Sequence, residues 1–391
     1  MILSKLFRVT YWTLAAGGLL YALAIGALTL PTVQRNAIYA HNINPTLWQD
    51  LNNTEQFGFI RHQIQPFTLT TPDNVTLFAW HILPAHLYRQ HEQSLKAQSD
   101  FGLKPWEEAV NSVGLQLLLN DPTAIAVVSF HGNAAHIASS YRPPTYQQIM
   151  SSSTTERPVH VIAFDYRGFG LSTGSPSEAG VIQDSVTVLS ALTGIGSDEQ
   201  RAGAGVDPSR VIIVGQSMGT FISTAFYHEW VLNLGRAPFR ALVLIASFSS
   251  LTELLESYSF KGLTPPMLSP LVFYPRIQEW VRSTIVDKWD TSQKLVDLAR
   301  QPDVKLDLTM MHARDDWEIP WRQGRTSWDR VLNAATNGSI DFERNLDDEE
   351  WKSPDGKKRL RWQRLLHGGH NKIPVSEHAK LVFLGLIEGN K

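Results

Sequence analysis

Residues 211–230 read VIIVGQSMGTFISTAFYHEW: a β-branched run ends in Gly-X-Ser-X-Gly and passes directly into a helix-forming stretch. The three parts together require a strand, a sharp turn and a helix. A serine on such a turn stands at the C-terminal edge of a sheet, where Gly215 and Gly219 leave room for crowded backbone and close packing. Ser217 is therefore a candidate nucleophile. Small residues at ordinary turns also produce the five-residue pattern; the strand before it and the helix after it separate the two readings.

The chain beyond about residue 55 continues the theme. Short β-branched or aromatic runs at 76–83, 124–130, 159–165, 211–215, 241–246, 307–311 and 360–365 alternate with amphipathic segments. This pattern predicts an α/β fold with a mostly parallel sheet covered by helices. Helices are expected after Pro176, Ser217 and Val375. Two stretches interrupt the alternation and read as insertions: 85–122, polar and charged, and 251–300, rich in Leu, Phe, Tyr and Pro. A hydrophobic fraction of 43%, with 12 Trp among 391 residues, supplies enough apolar material for one large core.

A serine nucleophile needs a base, and the base needs an acid to orient it. The strand expected at 307–311 is followed by HARDDWEIP, which offers Asp315 and Asp316 in the loop at its C-terminal end. LLHGGHNKI supplies His367 and His370 after the last expected strand. Each has an ordinary alternative, a solvated or capping aspartate and a structural histidine. The order Ser, Asp, His and the shared loop placement make the joint pattern informative. Acyl transfer also needs donors for an oxyanion. The amide of Met218, next to the nucleophile, is one candidate; that of Asn133, or else Ala134, in SFHGNAAH is the second. His131 and His136 lack a carboxylate at ligand spacing, so no metal is expected, and acyl transfer through a serine triad requires no cofactor.

The N-terminus has a different character. Residues 10–30, TYWTLAAGGLLYALAIGALTL, carry no charge and are long enough to span the roughly 30 Å hydrocarbon core as a helix. The length favours an uncleaved anchor over a signal peptide, whose apolar region usually covers about 7–15 residues. A buried core helix would show a polar face. Lys5 and Arg8 precede the span and only Arg35 closely follows it, which places residues 1–9 in the cytoplasm and the body on the lumenal or extracellular side. Sequons at Asn52, Asn74 and Asn337 agree with that side. The expected organisation is a cytoplasmic 1–9, a transmembrane signal-anchor 10–30, a linker 31–54 and a catalytic domain 55–391 with a cap at about 251–300. A net charge of −2 offers no basis for nucleic-acid binding, and the absence of cysteine excludes disulfides and thiolate catalysis.

HGNAAH, FDYRGFGLSTGSPSE, GQSMGT, HARDDWEIP and HGGHNKI, in that order, resemble the α/β-hydrolase superfamily, over about 67–387. Within it the chain is similar to the membrane-anchored branch containing α/β-hydrolase domain-containing protein twelve and the fungal Bem46-type proteins. The resemblance implies a serine hydrolase of the endoplasmic reticulum, lumenal-facing, that acts on monoacylglycerols or lysophospholipids. It also implies a triad of Ser217, Asp316 in Asp-X-X-Ile-Pro and His370 in Gly-Gly-His-Asn, with Asp165 and Arg167 as structural braces. The chain departs from that pattern at 85–122 and at the charged stretch near 347–359, expected to be an exposed loop. Thioesterase or peptidase activity, or a catalytically silent binding protein, are the competing readings of the same fold. For a single-chain lipid ester, Leu254, Leu255, Phe260, Leu263, Met267, Leu268, Leu271, Val272 and Phe273 are the candidate acyl-binding wall of the cap; the ordinary reading of the same apolar stripe is a packed helical core.

Overall fold

In a computed structural model, which describes residues 2–44, 48–98, 102–196, 203–257, 268–340 and 343–389, the apolar runs become strands of one sheet. The strands are β1 (Ile64–Thr70), β2 (Thr76–Ile82), β3 (Lys104–Pro105), β4 (Ile125–Phe130), β5 (Val159–Phe164), β6 (Val211–Gln216), β7 (Ala241–Ile245), β8 (Leu306–Ala313), β9 (Asp348–Lys352) and β10 (Lys358–Leu365). Their order is β3-β1-β2-β5-β4-β6-β7-β8-β10-β9. From β5 to β10 every neighbouring pair is parallel; β1 with β2, β2 with β5, and β9 with β10 are antiparallel.

The uninterrupted apolar runs follow from burial on both faces. Along β6, Val211 and Ile213 enter one core while Ile212 and Val214 enter the other, as the two-residue strand period dictates. The described α-helices are α1 (Ile2–Ala27), α2 (Pro31–Tyr39), α3 (Ala85–Ala97), α4 (Trp106–Ala109), α5 (Val113–Asn120), α6 (Arg142–Met150), α7 (Glu178–Thr193), α8 (Met218–His228), α9 (Leu251–Ser257), α10 (Pro275–Ser283), α11 (Thr291–Arg300), α12 (Trp321–Thr336) and α13 (Glu377–Glu388). Helices α7, α8, α11 and α12 fill the first core, and α6 and α13 the second. Ser177 and Ser376 cap α7 and α13 by accepting from the amides of Gly180 and Ala379.

Each run expected to form a strand contributes one, whereas β1, β3 and β9 were not anticipated. The 347–359 stretch is not a free loop. It forms edge strand β9, a tight turn and the start of β10, held by charge pairing that composition alone does not reveal. Glu350 accepts from Arg359 at 2.7 Å and from Arg361 at 3.1 Å across the hairpin. Glu349 is buried among Arg325, Arg344 and the Trp328 indole, at 2.9, 2.9 and 2.6 Å.

The two insertions are also more integrated than the sequence suggests. Trp106 packs on Phe67 at 5.3 Å, and Leu115 and Leu118 join the main core, so 85–122 is rooted in the domain. Within 251–300, α11 buries Leu295, Val296 and Leu298 in that same core. Among the described residues the cap is correspondingly narrower, comprising α9, residues 268–274 and α10.

The stretch expected as a linker, 31–54, contains a helix that packs on the body. After α1, whose Lys5–Ala27 portion is long and apolar enough to cross a membrane, α2 packs on the body. Gln34 is buried, donating to the carbonyl of Thr284 at 2.8 Å and accepting from the amide of Val286 at 3.0 Å. Tyr39 is fully buried, and its hydroxyl donates to Asp287 at 3.0 Å. A buried polar side chain with both ends satisfied fixes a register, which a linker does not do.

Candidate active site

The turn after β6 sets Ser217 at φ 53°, ψ −122°, a conformation that costs a non-glycine residue of order 1–3 kcal/mol. Its amide donates to the carbonyl of Ile245 at 2.9 Å, and its own carbonyl accepts from Thr220, so α8 starts immediately after it. The flanking glycines are steric requirements. A Cβ on Gly219 would lie 2.0 Å from the carbonyl oxygen of Phe130, and one on Gly215 would lie 2.5 Å from that of Gly219. Substitution at Gly219 would push the elbow away from β4, and substitution at Gly215 would push α8 away from β6.

His370 reaches this serine from the loop after β10, with Nε2 2.8 Å from Ser217 Oγ. Its Nδ1 lies 2.8 Å from Asp316 Oδ2, in the loop after β8. Asp316 Oδ1 accepts from the amides of Glu318 and Ile319, both at 2.9 Å. Burial pushes the Asp316 carboxyl up, but hydrogen bonds from His312 and His370, with their charges, outweigh it and hold it well below the usual range. For His370, burial opposes protonation, yet the hydrogen bond and charge of Asp316 prevail and raise its pKa above the ordinary histidine value. Three of the candidate residues therefore form one hydrogen-bonded chain.

Their sequence neighbours do not. Asp315 accepts from the amide of Gly369 at 2.8 Å and faces His367 at 3.6 Å, and His367 is 89% exposed. That pair braces the outside of the histidine loop. The amides of Met218 and Asn133 make no hydrogen bond to protein among the described residues, and both residues border the cavity into which Ser217 and His370 open. The Ala134 amide is committed to the carbonyl of Tyr39 at 3.0 Å, which leaves Asn133 as the available donor.

Several supports were not legible in the sequence. Ala134 and Ala135 are both at positive φ, a strained loop that needs external hold. Arg142 supplies it, donating to the carbonyls of Gly132, Asn133, Ala134 and His136 at 2.9, 2.8, 2.9 and 2.6 Å. One signal was available: an arginine at a proline-marked helix start opposes the helix dipole and so needs another reason to be there. Gln216 donates to the carbonyl of His370 at 3.2 Å, tying the histidine loop to the elbow. His312 lies beneath Asp316, fully buried, with Nε2 2.9 Å from the carbonyl of Ile319 and 3.4 Å from the carboxylate. Asp165, which accepts from the amide of Ile137 at 2.8 Å, and Arg167, which bridges Asp184 and Asp73, brace the surrounding loops.

The model of the alpha/beta hydrolase family matches residues 127–383, about two thirds of the chain, spanning the elbow and all of these loops. The chain belongs to that family. Among curated proteins this hydrolase is similar to lysophosphatidylserine lipase ABHD12 of Gallus gallus, 27% identical over 340 residues, covering 86% of this chain and 74% of the relative. The Xenopus tropicalis protein of the same name is 27% identical over 323 residues, covering 82% and 71%. Among solved structures, an alpha-beta hydrolase from Vibrio vulnificus aligns with a TM-score of 0.55 at 16% identity, covering 91% of this chain and 94% of that one. Likeness at that identity establishes the shared fold.

Proposed function

We propose that this hydrolase is a membrane-anchored serine esterase that cleaves single-chain lipid esters, monoacylglycerols or lysophospholipids, with Ser217 as nucleophile, His370 as base and Asp316 as its orienting acid. The observation that carries the reading is the Asp316–His370–Ser217 hydrogen-bonded chain opening into an apolar cavity. Neutral His370 takes the Ser217 proton as Oγ attacks the ester carbonyl. The developing oxyanion rests on the amides of Asn133 and Met218. The imidazolium returns the proton to the departing alcohol, and a water activated by the same histidine then releases the fatty acid.

The cavity favours an acyl chain over a peptide. Leu254, Leu255 and Leu268 of the cap region line it together with Ile25, Leu28, Ile38 and Phe221. Leu271 is buried beside them, whereas Val272 and Phe273 are exposed and do not belong to the wall. Phe260, Leu263 and Met267 lie outside the described residues. The relatives named for a lysophosphatidylserine lipase also act on a lipid with one acyl chain, which supports the substrate class.

The test is kcat/KM along monoacyl esters of increasing chain length. Each methylene buried contributes up to about 0.8 kcal/mol, so the parameter should climb, by at most roughly fourfold per methylene, until the cavity is full. A flat series, or preference for acetyl esters, would reject the lipid substrate.

The excess of Lys5 and Arg8 over Arg35 supports a lumenal catalytic body in the endoplasmic reticulum. Asn74 and Asn337 are exposed, as sugar attachment requires. Glycosidase treatment of protein from a eukaryotic membrane fraction should lower its apparent mass; an unmodified protein that cytoplasmic protease cleaves in intact vesicles would reverse the orientation.

A further inference from the structure

We infer that the anchor is part of the substrate site: the last turn of α1 and helix α2 form one wall of the acyl cavity, and the chain enters from the bilayer between α1 and the cap. The inference rests on the lipid-ester reading above and adds the route and the residues.

Most of α1 is exposed, with Leu19, Leu20 and Leu23 between 61 and 67% accessible. Ile25 is the exception at 6%, because it packs on Leu268, Leu271 and Val281 of the cap. One turn further, Leu28 faces the same cavity, and Ala37 and Ile38 of α2 continue the wall toward Ser217. The wall is held in register at both ends. Gln34 ties α2 to the backbone at Thr284 and Val286 after the cap, and Arg35 pairs with Asp287 at 3.3 Å. On the other side the carbonyls of Tyr39 and Ile43 accept the amides of Ala134 and Ala135, in the loop that offers the oxyanion donor. A segment serving only as a tether gains nothing from contacts with both the cap and this loop.

The outer surface of the cap identifies what it faces. Beside the Leu268–Leu271 contact with α1, Val272, Phe273, Tyr274 and Trp280 are 52–86% exposed. An apolar and aromatic patch of this kind is unfavourable in water and suited to the lipid interface, where Trp and Tyr concentrate. Its continuity with a membrane-length helix makes the bilayer its partner. A monoacyl lipid can then slide its tail along α1 into the cavity while the ester reaches Ser217 at the aqueous edge. The tail never crosses water.

The test uses full-length protein reconstituted in phosphatidylcholine vesicles and the ratio of kcat/KM for a C16 monoacylglycerol to that for its C4 counterpart. Ile25→Trp and, independently, Leu28→Trp fill the wall and should lower that ratio about tenfold, as roughly two unburied methylenes would. Leu23→Trp, on the exposed face of the same helix, should leave both substrates unaffected. An unchanged ratio in both wall variants, or equal loss of both substrates in both, overturns the inference while the lipid-ester reading stands. Wild-type protein that turns over the C4 ester but not the C16 ester removes that reading, and the inference with it.

Discussion

Replacing Ser217 with alanine is expected to lower hydrolysis by a factor on the order of 10⁶, the loss seen when a triad nucleophile is removed and only binding and oxyanion effects remain. The fold should survive. Alanine keeps the Cβ, so the elbow at φ 53° is no more strained than before, and the amide bond to Ile245 and the start of α8 use backbone atoms alone. The lost group is the hydroxyl 2.8 Å from His370. Turnover is read with any ester that the wild type cleaves, labelling with a fluorophosphonate probe, and foldedness by thermal melting. Undiminished turnover or probe labelling in a folded variant would remove Ser217 as the nucleophile, and with it the mechanism.

At Asp316 the expected loss is about 10⁴ in kcat for Asp316→Asn, and the surroundings explain why an isosteric change is so costly. The amides of Glu318 and Ile319 both donate to Oδ1. An asparagine must therefore keep its carbonyl oxygen there and turn its NH₂ toward His370. That NH₂ donates to Nδ1, which forces the ring proton onto Nε2, the atom facing Ser217. The imidazole then has no lone pair with which to accept the serine proton. Asp315→Asn should cost less than about tenfold, because an amide oxygen can still accept from Gly369. The pH profile provides a second readout. Activity needs neutral His370, so kcat/KM falls as pH drops through its pKa, and Asp316 moves that limb above the ordinary histidine position. Without the carboxylate, burial prevails and the limb of the residual activity should shift to lower pH. A larger loss at Asp315 than at Asp316, or a limb that stays put, would transfer the acid role elsewhere.

The two aspartates show where sequence reading stops and tertiary structure takes over. Both residues stand in one loop, at one strand end, and local pattern cannot rank them; the family resemblance favoured Asp316. What distinguishes them physically is direction. Asp316 is 5% exposed, faces inward above His312 and meets His370 across a gap of 54 residues, while Asp315 turns outward to His367.

Elements whose cause is local were readable. The β-branched run before Ser217 predicted β6 because a strand buried on both faces needs apolar residues at every position. Gly215 and Gly219 announced the elbow because no Cβ fits against the backbone there. Ser376, capping α13, lies where the sequence expected that helix to begin. Elements whose cause is a distant partner were not. The charged run at 347–359 looked like a loop until Arg325, Arg344 and Arg361 were brought beside it. Residues 31–54 looked like a linker because Gln34 and Tyr39 find their partners near position 285, some 250 residues away. Arg142 is a single cation whose four carbonyl partners come together only once residues 132–136 curl back over it. The sequence by itself thus determined the central strands of the sheet, the elbow and the loops that carry the candidate site, because strand period and turn sterics act over a few residues. Tertiary structure alone decided which aspartate faces the histidine, which amide remains free beside Ser217 and that the end of the N-terminal helix lines the cavity, since each depends on packing between segments far apart in the chain.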